Sequence, residues 1–292
     1  MSTLFLGLGF GLVTASVLAI STVALSLQFG VTRVPNFAHG EIMTVGAYAA
    51  FSTLRATHDI FLAALAAVVA GALLGAAINK FLFGPFRNLK VARLTLFVLT
   101  IAASLIVQNA ILLMYGGSTQ AMPVASGSPY HLGPFLFTLE QGTIIVLAVV
   151  IMLGVHLLLR YTYFGREQRA VAENLALARA SGVNAAQVIS RTWLLTGALA
   201  GLSGFVLAIT TGGIYPAMGF QFLLVVFAAA ILGGIGQPYG AMAGALVVGI
   251  AMEISALYIV SDYKTVVAFA LLILALLFRP QGLISGRKPA AA

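Results

Sequence analysis

Few side chains in this sequence carry chemistry, and most of those that do are embedded in apolar surroundings. The run Gly30-Val31-Thr32-Arg33-Val34-Pro35 leads into Asn36-Phe37-Ala38-His39-Gly40-Glu41. Pro35 drives its predecessor out of the helical region, and Asn36 can cap a helix that begins after it. Beyond this break only residues 42–54 are freely lipophilic, too few to span a bilayer alone. The break therefore falls within membrane depth, where irregular backbone is tolerated only inside protein or beside a water-filled cavity. Asn36, Phe37, His39 and Glu41 are candidates for lining a translocation pathway. A plainer role is compatible with this: Glu41 would compensate the positive end of its helix and His39 would hydrogen-bond to it. Glu253 is a second ionisable group inside an apolar segment, near the outer interface if its helix runs outward. Gln108 and Asn109 lie deep in another span, where buried amides line a pathway or simply bond across helices. The run Gly233-Gly234-Ile235-Gly236-Gln237-Pro238 cannot continue a helix and forms a second break, placing Gly234 and Gly236 beside the first set as pathway candidates.

What is missing narrows the chemistry further. There is no G-x-x-x-x-G-K-[ST] phosphate loop, so the chain is expected not to hydrolyse ATP itself. Neither H-E-x-x-H nor G-x-S-x-G occurs, which disfavours an intramembrane hydrolase. The chain has no cysteine. No catalytic residue, metal site or cofactor is expected.

The elements that must position these residues are membrane helices. Hydrophobic residues make up 61% of the 292 and charged residues 8%, against about 25% charged in soluble domains. Residues 4–27, 60–79, 94–115, 141–159, 192–210 and 217–235 contain no Asp, Glu, Lys or Arg, and each is near the ~20 residues a spanning helix needs. Segments 37–54, 239–260 and 265–278 are less clean. The expected fold is all-α, a single polytopic transmembrane bundle of eight or nine spans over residues 1–292. The first run has no basic residue ahead of it and is too long for a signal-peptide core, so it is expected to remain.

The net charge of +8 is not gathered into a nucleic-acid patch. With the N-terminus outside and nine crossings, the inner side holds Arg33, Lys80, Arg87, Lys90, Arg93, Arg160, Arg166, Arg169, Arg179, Arg191, Arg279, Arg287 and Lys288. The outside holds only Arg55 and Lys264. That asymmetry is what the positive-inside rule requires. Of the two long loops, the outer one at about 116–140 is rich in Gly and Pro and reads as an ordered extracytoplasmic loop. The inner one, about 160–191, is basic and helix-forming, with Val171, Leu175 and Ala178 on one face of a short helix that Ser181-Gly182 should stop. Asn184, with Gln187 three residues on, should cap the next helix. A lipid-anchored connector needs less structure than this. A shaped cytoplasmic protrusion suits a docking partner.

Two segments carry a family resemblance. Asn36-Phe37-Ala38-His39-Gly40-Glu41 followed by Gly46-Ala47-Tyr48 resembles the signature of the high-affinity branched-chain amino-acid ABC-transporter permeases, in particular the H-type subunit of their H/M pair. The inner loop, from Arg169 through Ala172-Glu173-Asn174 and Ala178 to Gly182-Val183-Asn184, is similar to that family's coupling-helix loop. Gly233-Gly234-Ile235-Gly236 with Gly240-Ala241 and Gly244 also matches. The loop lacks the Ala-Ala that follows Glu in the general importer consensus, a departure usual for this branch. The resemblance implies half of a pore in a bacterial inner membrane, paired with a paralogous M-type permease, with two cytoplasmic ABC ATPase subunits below and an extracytoplasmic solute-binding protein above. It assigns ATPase coupling to Val171, Glu173, Leu175, Ala178, Gly182 and Asn184. Partners outside protein are membrane lipid and no nucleic acid. The alternatives are a stand-alone secondary transporter using Glu41, His39 and Glu253 as a proton relay, or the same kind of permease serving urea, amides or other amino acids.

Overall fold

The computed structural model describes residues 2–86, 93–124, 127, 129–132, 135–278 and 282–283. Helix α1 (Ser2–Thr32) ends at Arg33, whose φ of 55° is left-handed, and Pro35 keeps the chain irregular until α2 (Ala38–Thr57) begins. Asp59 caps α3 (Ile60–Ala77), accepting from the amides of Phe61 and Leu62. That helix widens into a π turn over Ile78–Phe83 and closes with the short α4 (Gly84–Phe86). Then follow α5 (Arg93–Tyr115), α6 (Leu139–Tyr161), α7 (Tyr163–Glu173), α8 (Leu175–Ala180), α9 (Ala185–Thr211), α10 (Met218–Gly233), α11 (Pro238–Ser255) and α12 (Lys264–Phe278).

The all-α bundle is what the apolar runs call for, with a lower count of spans. Among the described residues seven helices are long and apolar enough to cross a membrane, one or two fewer than the eight or nine expected. The differences fall on α2 and α10. Helix α2 has 20 residues but carries His39, Glu41 and Arg55, so its apolar character is diluted; His39 and Glu41 are buried in protein, while Arg55 is exposed. Helix α10 is apolar but has only 16 residues, below the length a straight crossing requires. The described residues of the segment expected to be the outer loop take part in two short antiparallel pairs. One joins β1 (Gln120–Ala121) to β4 (Gly213–Ile214), and the other joins β2 (Tyr130–Leu132) to β3 (Phe135–Phe137).

The chain divides into two units, residues 1–27, 126–153 and 225–292 in one, and 28–125 and 154–224 in the other. In the larger unit, α2, α3 and α9 pack backbone to backbone. Gly197 and Gly201 on α9 press against Gly71 and Ala67 of α3, and Gly46 of α2 meets Gly201. A methyl group at Gly204 would overlap the Met43 carbonyl. Lipid gives helices no hydrophobic drive to associate, so closeness between small residues supplies the contact. In the other unit Gly249 lies against Ala15, and Gly244 and Gly240 of α11 meet Ala229 and Gly233 of α10 in a second small-residue seam.

Candidate functional site: a broken helix entry and a short helix pair

The break before α2 is fixed by polar bonds. Asn36 Oδ1 accepts from the Ala38 amide (3.0 Å) and its Nδ2 donates to Gln28 Oε1 (3.0 Å). Asn36 therefore ties the new helix to the end of α1, as well as capping locally. The Phe37 amide donates to Thr100 Oγ1 (3.2 Å), and the Phe37 ring stands edge-on to Phe97 at 5.3 Å. One turn on, Glu41 Oε1 accepts from Ser104 Oγ (3.1 Å). Higher still, the Tyr48 and Tyr115 rings lie 4.5 Å apart and Ser52 Oγ bonds Tyr115 Oη (2.9 Å). Together these contacts form a polar and aromatic seam between α2 and α5 along most of their length.

Asn36, His39 and Glu41 are all essentially fully buried in this chain, while Phe37 is half-buried. Of the four residues predicted between Asn36 and Glu41, Phe37 is thus the one that reaches an accessible surface. Gly40 backs onto Gly219, whose amide donates to Thr44 Oγ1 (3.2 Å), so the start of α10 closes the far side of the break. On α5, Gln108 is half-buried and Asn109 is exposed, with Asn109 Nδ2 returned to the Leu105 carbonyl of its own helix (2.8 Å). These two amides do not join the Asn36–Glu41 cluster; the seam residues of α5 are Thr100, Ser104 and Tyr115.

The second break belongs to the other unit. Gly234 and Gly236 have φ of 109° and 88°, a region that favours glycine. They turn α10 into α11, and Pro238 opens the new helix. Gly233 and Gly240 then touch backbone to backbone, so this break is a tight hairpin. In the same unit Glu253 accepts from Thr14 Oγ1 (2.9 Å) and pairs with Lys264 Nζ (2.7 Å). Its charge is met locally, which fits a structural role better than a relay.

The basic loop at about 160–191 differs from expectation in one respect. Val171, Leu175 and Ala178 do not share one helix, because Asn174 leaves the helical region at φ −147°, ψ 102°. Its side chain accepts from the Leu177 amide and starts α8 afresh, which an Asn can do because its short amide competes with the helix for backbone donors. Val171 and Ala178 turn inward and are buried, whereas Glu173, Leu175, Leu177 and Asn184 are exposed. The expected stop is present. Gly182 at φ 85° takes the left-handed position, and the amides of Gly182 and Val183 return to Arg179 and Ala178. Asn184 Oδ1 accepts from the Gln187 amide to begin α9 (3.1 Å).

One contact links the two regions. The Arg33 guanidinium donates to the Ala172 carbonyl in the last turn of α7, joining residues 139 apart. A cation there also meets the negative end of the helix. From sequence Arg33 is legible only as one of the inner charges, since no local pattern connects it with Ala172.

The family described as branched-chain amino acid transport system, permease component, matches residues 7–276. The chain belongs to this family. The permease is 34% identical over 288 residues to the high-affinity branched-chain amino acid transport system permease protein LivH of Escherichia coli K12, covering 94% of this chain and 93% of that one. It is 33% identical to BraD, the corresponding permease protein of Pseudomonas aeruginosa, over the same length and with the same coverage. Among solved structures, PsaBC from Streptococcus pneumoniae in complex with Fab superposes with a TM-score of 0.51 over 91% of the permease and 90% of that chain, at 13% identity. That likeness is one of fold. Seven apolar helices and family membership make the permease a multi-pass membrane protein.

Proposed function

We propose that this permease forms half of the pore of an ATP-driven importer for branched-chain amino acids, in a heterodimer with a paralogous M-type subunit. The observation that carries the reading is the α7–α8 pair. Val171 and Ala178 anchor it to the permease, while Leu175 and Leu177, 38% and 64% exposed, are presented outward on a helix with a defined start and stop. Exposed leucines on a basic cytoplasmic protrusion suit a protein partner, and two ABC ATPase subunits are that partner. A solute-binding protein delivers substrate at the opposite face. The Arg33–Ala172 bond gives movement of the protrusion a direct handle on the break before α2. The solute assignment follows the relatives, LivH and BraD, together with a pathway entrance of aromatic and few polar groups that suits small zwitterions with apolar side chains.

The test is uptake into proteoliposomes holding the permease, its M-type partner, the two ATPases and the binding protein. Labelled leucine, isoleucine or valine should accumulate only with ATP present. Uptake driven by a proton gradient without ATP would overturn the reading.

A further inference from the structure

At the Arg55 end of the α2–α5 seam lies a cavity of about 400 Å³ lined by Phe51, Ser52, Arg55, Met114, Tyr115 and Gln120. Small-molecule sites run from roughly 300 to 1,000 Å³ and combine apolar walls with a few placed polar groups. Here the walls divide in that way. Phe51 and Met114 are apolar. Ser52 and Tyr115 hold their hydroxyls 2.9 Å apart, so one of the two always has a lone pair to offer. Gln120 is set by two constraints: its backbone pairs with Ile214 in the β1–β4 ladder, and its Nε2 donates to the Tyr115 carbonyl (3.1 Å). Its Oε1 remains an acceptor for a cation. Arg55 sits in the last turn of α2, where its charge complements the helix end. Among the described residues the ion pair present is Lys264–Glu253, so no described carboxylate claims the Arg55 fork.

We infer that this cavity is a receiving site for a small zwitterionic amino acid, with Arg55 holding the carboxylate, Gln120 and the Ser52/Tyr115 hydroxyls taking the ammonium, and Phe51 and Met114 facing the side chain. The inference rests on reading the chain as an amino-acid permease and deepens it by locating where the solute first meets this subunit. An arginine fork matches a carboxylate in two parallel hydrogen bonds, which a lysine cannot do. The same fork accepts a phosphate, from a lipid headgroup or free in solution, so the probes must separate these sources. The cavity stands at the head of the seam that continues through Tyr115, Tyr48, Ser104 and Glu41 to Phe37.

The experiment places a single cysteine at Ala56, another residue of the cavity wall, in the assembled permease–ATPase complex without binding protein. The rate of maleimide labelling is then read with L-leucine, leucinamide, 4-methylpentanoate or glycerol phosphate present, and leucine uptake by the complete transporter is measured in parallel. Leucine should slow labelling about fivefold at a concentration near four times its Kd. Leucinamide, which lacks the carboxylate, should not. Arg55→Gln should abolish the protection and Arg55→Lys should retain part of it, and a second reporter at Met114 should repeat the pattern. If leucine is taken up but protects neither reporter, or if leucinamide or glycerol phosphate protects as well as leucine, the receiving site is refuted while the importer reading stands. Absence of ATP-dependent leucine uptake would instead count against the importer reading itself.

Discussion

At the scale of single residues, the contact that joins the break before α2 to the α7–α8 pair is Arg33 to the Ala172 carbonyl. Arg33 is exposed, so removing it should cost little stability, no more than about 1 kcal/mol for one surface hydrogen bond. Its loss should be felt in coupling. Arg33→Ala is expected to raise the ATP hydrolysed per solute imported severalfold while leaving the melting temperature of the complex almost unchanged, measured as the ratio of hydrolysis to uptake in proteoliposomes. An unchanged ratio would show that the bond only decorates the helix end. The same scale shows how sequence reading succeeds and fails. The polar character of Asn36, His39 and Glu41 is visible because such residues are rare in apolar surroundings, but the packing around this segment involves Thr100 at the Phe37 amide, Ser104 at Glu41 and Gly219 at Gly40. Those partners are distant in sequence and ordinary in type. Gln108 and Asn109 meet the same limit, since an amide in a span looks alike whether it faces a cluster or, as Asn109 does, returns to its own backbone.

At the scale of elements, local signals were reliable where the chain punctuates itself. Gly182 stops a helix and Asn184 starts one, as their types dictate. The break at Asn174 was not legible, because apolar spacing alone permits an unbroken helix from Val171 to Ala178 and nothing in that pattern registers an asparagine that caps its own successor. The break changes which residues meet a partner. Leu177, at 64% exposed, becomes a stronger contact candidate than Val171, at 3%. If α8 is the proposed ATPase contact, replacing Leu177 with Asp would bury an unpaired charge there, costing at least about 2 kcal/mol, or roughly thirtyfold in affinity. Co-purification of the ATPases and stimulated hydrolysis should both fall, while insertion of the permease is unaffected. Val171→Asp should instead damage the permease itself, visible as poor yield, because that side chain is enclosed by its own protein.

At the scale of the whole molecule, the distribution of Lys and Arg predicts that the loop after α5 and the loop between α8 and α9 lie on opposite sides of the membrane. Reporter fusions after Gly117 and after Gly182 should give opposite responses, active outside for the first and inside for the second; matching responses would overturn the N-terminus-outside orientation. The helical class and the apolar segments were legible from composition, because lipid tolerates few alternatives. The exact number of crossings was not, since α2 buries His39 and Glu41 in protein and α10 is only 16 residues long.

The glycine-to-glycine packing of α2, α3 and α9 also has a consequence in time. The groove made by Gly46, Gly71 and Gly75 receives α9 through Gly197, Gly201 and the Trp193 backbone, yet α9 begins at Ala185. During synthesis the α2–α3 hairpin must enter the bilayer and wait while the whole stretch from residue 78 to 184 is translated and inserted. In that interval a narrow, side-chain-free furrow faces lipid that fills it poorly. The permease is then most open to mispairing and to membrane quality-control proteases, so substitutions at these glycines should lower the amount of mature protein more than the activity of the molecules that survive.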